Sequence, residues 1–348
     1  MNLLIAMHED VAGQPAGLST GQGVEISVVV PLYNKAGYVK RAIESVLAQS
    51  YPCKELVVVD DGSTDNSVEE LSGVENSRIR IVNQRNQGPG AARNRGARET
   101  TAEWIALLDA DDWWAPTHLE TAAALIRGFR NIAVAAKGYQ SSGPSGLSKT
   151  FDFAGHGAEP WCGDCDAWFR AAVEGHPVFW SSAVVVRKDV WMAVGGFRED
   201  MAFGEDTDMW MRLVQDHAFA FSRDVTAFYW QEGEDAGTAS THRRGIDGFS
   251  APHFTEWPEK YGRLGEWQAE FIARRQMELL GGLCREGFGA EVRRYVKQID
   301  TSRQKRKKQL LWLKSWLPPR LLFGISTAKQ WALRQACGRI SKPVRAVD

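Results

Sequence analysis

Trp104-Ile105-Ala106-Leu107-Leu108-Asp109-Ala110-Asp111-Asp112 is the stretch that decides the fold. Its apolar half is short, has no polar face and follows the helical-looking Gly90 to Arg98, which suits a central strand of a parallel sheet. Its acidic half then emerges at the strand's C-terminal end, where open α/β sheets bind their ligands. In an extended chain Asp109 and Asp111 point the same way. Two hard carboxylate oxygens suit Mg²⁺ or Mn²⁺ carrying a diphosphate. For Asp112 a plainer role stands beside that one, an acid capping the helix that follows Pro116.

Upstream, Ile26-Ser27-Val28-Val29-Val30-Pro31 is a continuous β-branched run, a buried strand ended by a proline that cannot donate to the ladder. A helix beginning near Gly37 carries Val39, Ile43, Val46 and Leu47 on one face. Glu55-Leu56-Val57-Val58-Val59-Asp60-Asp61 is a second buried strand ending in acid, and Arg78 to Val82 a third. Strand and helix alternating at this spacing predict βαβ units, with Asp60-Asp61 and Asp109-Asp111 on one edge of the sheet. Gly88 and Gly90 do not make a dinucleotide fingerprint, because the third glycine is misplaced.

With 348 residues the chain can hold one large α/β domain plus an extension, or two modest domains. Its 42 basic and 43 acidic side chains nearly cancel, yet Asp300 is the only carboxylate between Arg293 and Arg345. Five cysteines, an odd and sparse set, fit a reducing cytosol better than a disulfide framework. Met1 to Gly23 lacks a basic start and carries His8, Glu9 and Asp10, so it reads as a loose tail and not a secretory signal. Leu310 to Ile325, the most apolar run, is broken by Lys314, Pro318, Pro319 and Arg320, too soon for a bilayer span.

Five strings, SVVVPLYN, VVVDDGSTD, GPGAARNRG, WIALLDADD and GGFREDMAFGEDTDMWMR, occur in that order between Ile26 and Trp230. Together they resemble the family 2 glycosyltransferases. That resemblance implies the GT-A fold, an α/β architecture with a central mostly parallel sheet flanked by helices. It also implies an inverting transfer of one sugar from a nucleotide-sugar donor, a UDP-sugar before others, to a glycan or lipid-linked acceptor, with Mn²⁺ or Mg²⁺ assisting. Carried over by resemblance, Pro31, Tyr33 and Asp61 surround the nucleotide base, Asp109 lies close to the sugar or ribose, and Asp111 holds the metal. Asp206 of the ED pair is the catalytic base, and Glu205 contacts the acceptor or orients the base. Read on its residue type alone, the ED pair is a helix cap stabilised by the dipole. Arg93 and Arg95, at a helix start, either meet the donor's phosphates or stand on a solvated helix face.

The chain departs from the family after Phe228-Tyr229-Trp230, where many members place a histidine and this one has Gln231-Glu232-Gly233-Glu234-Asp235. Glu232 and His242 are the candidates to replace it. The QxxRW motif of processive members is absent, so one sugar per encounter is expected. The alternatives are a retaining GT-A transferase and a catalytically impaired, transferase-like binding subunit. A sugar nucleotidyltransferase would need a glycine-rich opening after Val30 that the chain lacks.

The resulting plan is a tail over 1–23, a GT-A catalytic domain over 24–250 and a helical C-terminal extension over 251–348. The polar, Gly- and Ser-rich stretch before Gly157 is expected to be an acceptor-side loop. Cys162 and Cys165 form a CxxC near His156 and His176, either two reduced cysteines at a helix start or half of a zinc site. From Trp257 to Gln298 the pattern is helical, with Phe271, Ile272, Met277, Leu279 and Leu280 placed to pack on the catalytic domain. Beyond it Arg303, Lys305, Arg306, Lys307 and Lys308 precede Leu310, Leu311, Trp312, Leu313, Trp316 and Leu317. Basic residues beside Trp and Leu describe a segment that settles on anionic lipid. The same cluster would attract nucleic acid, but no recognition module accompanies it and no nucleic acid partner is expected. The expected location is therefore cytoplasmic, peripheral at the inner face of the cell membrane.

Overall fold

The computed structural model describes residues 23–74, 77–143, 146–151, 160–174, 179–201, 204–231 and 264–318. They fall into two compact units, one within residues 1–243 and one within 244–348. The expected tail before Gly23 and the expected boundary near 250 lie outside the described residues, as do Glu232, His242, His156 and His176.

The first unit is built on one sheet. Its first half follows from the β-branched runs: β1 (Ile26–Leu32) pairs in parallel with β2 (Glu55–Asp60) and, on its other side, with the short central strand that ends in acid. The helix α1 (Val39–Leu47) joins β1 to β2 and buries Val39, Ile43 and Val46 against them. β3 (Ile79–Asn83) extends the parallel set, α2 (Pro89–Glu99) follows it, and β4 (Trp104–Leu107) is the central strand itself. Then come β5 (Trp113–Trp114), α3 (His118–Gly128), β6 (Ile132–Gly143), β7 (Gly146–Phe151), β8 (Trp161–Gly163), α4 (Cys165–Glu174), β9 (Val184–Arg187), α5 (Lys188–Ala193), α6 (Glu205–Asp216) and β10 (Ala218–Trp230). The strand order is β3-β2-β1-β4-β9-β6-β10-β5, with β7 on β6 and β8 on β10. β9 runs antiparallel to both β4 and β6, and β6 pairs in parallel with β10.

Over its described residues, 138–143 and 146–151, the stretch expected as an acceptor-side loop is sheet. β6 continues through Gly143 and pairs antiparallel with β7, with Gly143 opposite Gly146. A Cβ on Gly143 would lie 2.6 Å from the Gln231 carbonyl oxygen, so glycine here serves close strand approach and not looseness. Just ahead of β9 the chain makes a 3-10 turn, Ser181–Ala183.

α2 packs tightly because it is made of small residues. Gly90, Ala91, Ala92, Gly96 and Ala97 are buried, and a Cβ on Gly96 would come within 2.2 Å of Val29 Cγ1 on β1. Its Asn94 accepts from Phe197 N (2.8 Å) and donates to Phe197 O (2.7 Å), holding the chain just after Gly195 and Gly196, both at positive φ. From the other side Arg212 of α6 donates to the carbonyls of Val194 (2.5 Å) and Gly196 (2.7 Å). Arg212 is itself paired with Asp208 (2.7 Å), and both are buried. This hydrogen-bonded turn fixes where α6 begins.

The described part of the second unit is three helices, Glu266–Glu286, Gly289–Val296 and Lys305–Lys314. Met277 and Leu280, expected to pack on the catalytic domain, belong to a core formed within this unit with Leu283, Val292, Val296, Ile299 and Leu311. The periodicity shows an apolar face but not its partner. Glu270 accepts from Thr301 Oγ1, Ser302 N and Arg303 N, bracing the approach to the last helix. Among the described residues no helix is long and apolar enough to cross a membrane.

One buried pair in the first unit carries a cost. Lys137 of β6 is fully buried and its Nζ has no hydrogen-bond partner, and His118 of α3 is buried with Nε2 unpartnered. Burial pushes the Lys137 amine well below its usual value, and burial together with the Lys137 charge does the same to His118. Both bases bind protons more tightly in the unfolded chain, so stability rises with pH toward 10.5 for Lys137 and falls below 6.5 for His118. Lys137→Met is expected to raise unfolding free energy by about 1 kcal/mol or more and to flatten its rise above about pH 7. Urea unfolding across that pH range tests this; an unchanged slope would show that Lys137 is not the titrating group.

Candidate active site

Three acidic groups meet the same edge of the sheet. At the tip of β2, Asp60 accepts from Ser63 N (3.0 Å), an Asx-type turn. Asp61 is buried and accepts from Gln84 Nε2 (2.8 Å), Gln87 N (2.9 Å) and Gly88 N (2.8 Å). It therefore ties the β2 tip to the start of α2. Pro31 lies within β1 and Tyr33 just after it, with Tyr33 46% exposed at the rim of this edge. Asn34 turns there at φ 50° and accepts from Thr64 N (2.7 Å), joining the β1 and β2 loops.

After β4 the chain does not stay extended. Asp112 N donates to Asp109 O (3.0 Å), so Asp109 to Asp112 forms a tight turn and the expected side-by-side pair is split between different cations. Asp109 pairs with Arg93 Nη2 (2.7 Å) and Asp111 with Lys35 Nζ (2.6 Å). Arg41 Nη2 donates to the Asp111 carbonyl (2.6 Å) with its guanidinium 4.0 Å from the Trp113 ring centre. Burial lowers the Arg41 pKa, while Asp112 and Asp111 oppose the drop.

Asp112 is neither a helix cap nor exposed. It is fully buried and accepts from Ser182 Oγ (2.6 Å), Trp180 Nε1 (3.2 Å) and Trp230 N (3.0 Å). Burial, then the charges of Asp109 and Asp111, push its pKa well up. Ser182 Oγ also accepts from Asp109 N (3.0 Å), so the turn is pinned to the chain entering β9. Trp180 lies 4.3 Å from the Tyr229 ring and 5.6 Å from that of Tyr139. Burial and the Asp206 charge raise the Tyr139 pKa, which puts this aromatic wall within electrostatic reach of the ED pair.

That pair opens α6. Gly204 takes a left-handed conformation (φ 78°) at its N-cap, and Glu205 and Asp206 follow in the first turn, where the helix dipole favours anions. Asp206 accepts from Thr207 N (2.6 Å). Glu205 lies 3.4 Å from Arg93 Nη1. Burial and the neighbouring Asp206 raise the Glu205 pKa, against the pull of Arg93.

Arg93 is thus not on a solvated face. It is 6% exposed and bridges Asp109 to Glu205. Burial would lower its pKa, but those two carboxylates outweigh burial and raise it. Arg95 pairs with Glu99 on the exposed side of α2. Sequence reading missed Lys35, Arg41, Trp180, Ser182 and Tyr139, whose partners are remote in sequence. Only Lys35 carried a signal, a cation directly after the strand-tip loop PLYN.

Among the described residues no three His, Cys, Asp or Glu side chains are grouped as a ligand set for an ion. An ion arriving on a diphosphate needs only one or two protein carboxylates, the remaining ligands being phosphate and water oxygens. Asp111, 23% exposed at its side chain and held by a half-exposed lysine, fits that demand; Asp109 is committed to Arg93. Cys162, on β8, and Cys165, opening α4, are not joined in a disulfide and lie outside any such group, and burial and Asp164 push the Cys162 thiol up.

Comparison with known proteins bears on the same region. Residues 27–161 match the model of glycosyl transferase family 2. An uncharacterized glycosyltransferase of Nostoc sp. is 40% identical over 134 residues, 38% of this chain and 41% of that protein. The uncharacterized glycosyltransferase YibD of Escherichia coli is 38% identical over 99 residues, 28% of this chain and 29% of its own. The chain spans about two fifths or less of the length of these relatives. Among solved structures, Staphylococcus aureus TarS 1–349 in complex with UDP-GlcNAc superposes with a TM-score of 0.59 at 19% identity, covering 84% of this chain and 79% of TarS. The mannosyltransferase PcManGT of Pyrobaculum calidifontis, in complex with GDP-Man and Mn²⁺, superposes with a TM-score of 0.55 at 16% identity, covering 93% of this chain and 87% of its own. Those two likenesses concern the fold, and the sequence match concerns the half that carries Asp61, Arg93, Asp109 and Asp111. Residues 27–161 are therefore similar to glycosyl transferase family 2, and the fold is GT-A.

Proposed function

We propose that the chain transfers one sugar from a nucleotide-sugar, a UDP-sugar before others, to a hydroxyl of a glycan or lipid-linked acceptor in cell-surface polysaccharide assembly, with inversion at the anomeric carbon. One observation carries the reading: Arg93 joins Asp109, at the tip of β4, to Glu205, beside Asp206. The donor edge and the ED pair therefore lie side by side. Neighbours of the same fold bind UDP-GlcNAc and GDP-Man, which supports a nucleotide-sugar donor without choosing the base.

In this mechanism an acceptor hydroxyl is a poor nucleophile until a carboxylate takes its proton. Asp206 takes that proton as the hydroxyl oxygen forms its bond to the anomeric carbon. The bond from that carbon to the diphosphate oxygen breaks, and its electron pair leaves with the nucleoside diphosphate. Base on one face and leaving group on the other give inversion in a single displacement. A divalent ion on Asp111, when bound, neutralises the charge that grows on the diphosphate. Lys35 adds positive charge beside it, Pro31, Tyr33 and Asp61 form the base side, and Trp180 and Tyr229 offer apolar ring faces to a sugar.

Asp206→Asn is expected to keep donor affinity near wild type while transfer falls about 100-fold or more. Single-turnover transfer assays read this directly, and near-normal turnover would remove Asp206 as the base. Calorimetric titration with UDP, dTDP and GDP, each with and without Mn²⁺, should show metal-dependent binding of one of them. Asp111→Ala should abolish the metal dependence, and binding equally strengthened by Mn²⁺ in that variant would place the ion elsewhere.

A further inference from the structure

The helix Lys305–Lys314 is packed on one side only. Gln304, Leu311 and Ser315 are buried on that side, whereas Leu310 (55%), Leu313 (56%), Trp316 (61%) and Leu317 (38%) are exposed. Leu310, Leu313 and Leu317 recur at i, i+3 and i+7, one continuous stripe along the helix and the turn that extends it. An exposed apolar stripe of this kind is rare on a protein that meets only water.

Charge surrounds the stripe. Lys305, Arg306, Lys307 and Lys308 occupy the helix's first turn, where the dipole is already positive and cations are disfavoured. Among the described residues no carboxylate pairs with Lys305, Arg306 or Lys307, although Arg303 just before them pairs with Glu266. Lys314 closes the helix on the far side. Beside the stripe runs a groove of about 560 Å³, lined by Lys297, Asp300, Lys305, Lys308, Trp312 and Leu313. Lys308 Nζ is partly spent on the Ile299 carbonyl, which leaves Lys297 and Lys305 as the groove's outward cations, with Asp300 the single acid. Trp312 and Trp316 meet edge to face (5.9 Å), and Arg293 lies 4.0 Å from the Trp316 ring centre, so the aromatic end of the patch is held in place.

We propose that this face docks on an anionic lipid surface. The leucine stripe enters the boundary between headgroups and acyl chains, Trp312 and Trp316 lie at headgroup depth, and lipid phosphates neutralise Lys297 and the first-turn cations. Phosphate oxygens supply the negative charge that the helix N-terminus lacks from its own chain. The proposal is independent of the donor chemistry, because docking is read without any sugar transfer.

The test is sedimentation of the full chain with vesicles of phosphatidylcholine alone and of phosphatidylcholine mixed with phosphatidylglycerol, at low and high salt. Binding is expected to the mixed vesicles only and to weaken as salt screens the lysines. Leu310→Ser/Leu313→Ser should weaken it about 10-fold or more, and Lys305→Gln/Lys307→Gln/Lys314→Gln about 100-fold, with Tm unchanged because all five side chains are exposed. Absence of binding to mixed vesicles at low salt would overturn the proposal. So would binding that the leucine variant leaves intact and that a nucleic acid duplex competes away, which would mean a general attraction to polyanions. Concentration-dependent dimerisation lost in the leucine variant, without vesicle binding, would assign the stripe to a second copy of the chain instead.

Discussion

A single buried guanidinium holds the two halves of the first unit to a common purpose. Arg93 sits on α2, its carboxylate partners belong to β4 and α6, and these partners are 16 and 112 residues away in sequence. A buried arginine without partners would be ruinous, and two partly buried carboxylates side by side without a cation would also be costly. Each ion is therefore tolerable only where the others are, which makes the triad a specification of geometry more than a source of stability. Around it, Asn94 holds the Gly195-Gly196-Phe197 turn from α2 and Arg212 holds the same turn from α6. The ED pair inherits its position from both.

A second set of contacts does the same for the acid turn. Asp112 sits under Asp109 and Asp111, buried and bonded to Ser182, Trp180 and Trp230, so the β4 tip, the entry to β9 and the end of β10 meet at one carboxylate. Its raised pKa follows first from its own burial and then from the charges of the two acids above it. Two neighbours on the turn are charge-paired at the surface while the third is sunk beneath them. That division leaves Asp111 as the acid whose cation is itself partly exposed, whereas the cation of Asp109 is buried.

The sequence made the parallel half of the sheet legible because its strands are unbroken β-branched runs and its acids fall at their ends. It made the ED pair legible because the motif is local. What was not legible were contacts whose partners lie far away: Lys35 with Asp111 is separated by 76 residues, and Ser182 with Asp112 by 70. Glycine and serine between Gly138 and Gly157 looked like a loop because polarity was read as exposure, whereas β6 and β7 pair there and Ser141 and Ser142 are buried. The setting of Arg93 was hidden for a related reason, since the sequence shows a charge without showing that two opposite charges surround it. In the second unit, periodicity located the helices, and the partner of their apolar faces became clear only from the folded core.

The small-residue face of α2 also governs how this chain can drift. Gly96 touches β1, Arg93 and Asn94 are bonded to distant segments, and Gly90 lies 3.3 Å from Phe197 Cβ by the measure of an added methyl. Beyond Pro89 at its start, only Arg95, Arg98 and Glu99 look outward, and they bond along the helix and at its rim. Substitutions can accumulate on that narrow outer stripe. A change on the inner stripe has no compensating neighbour, because each position answers to a different element of the fold.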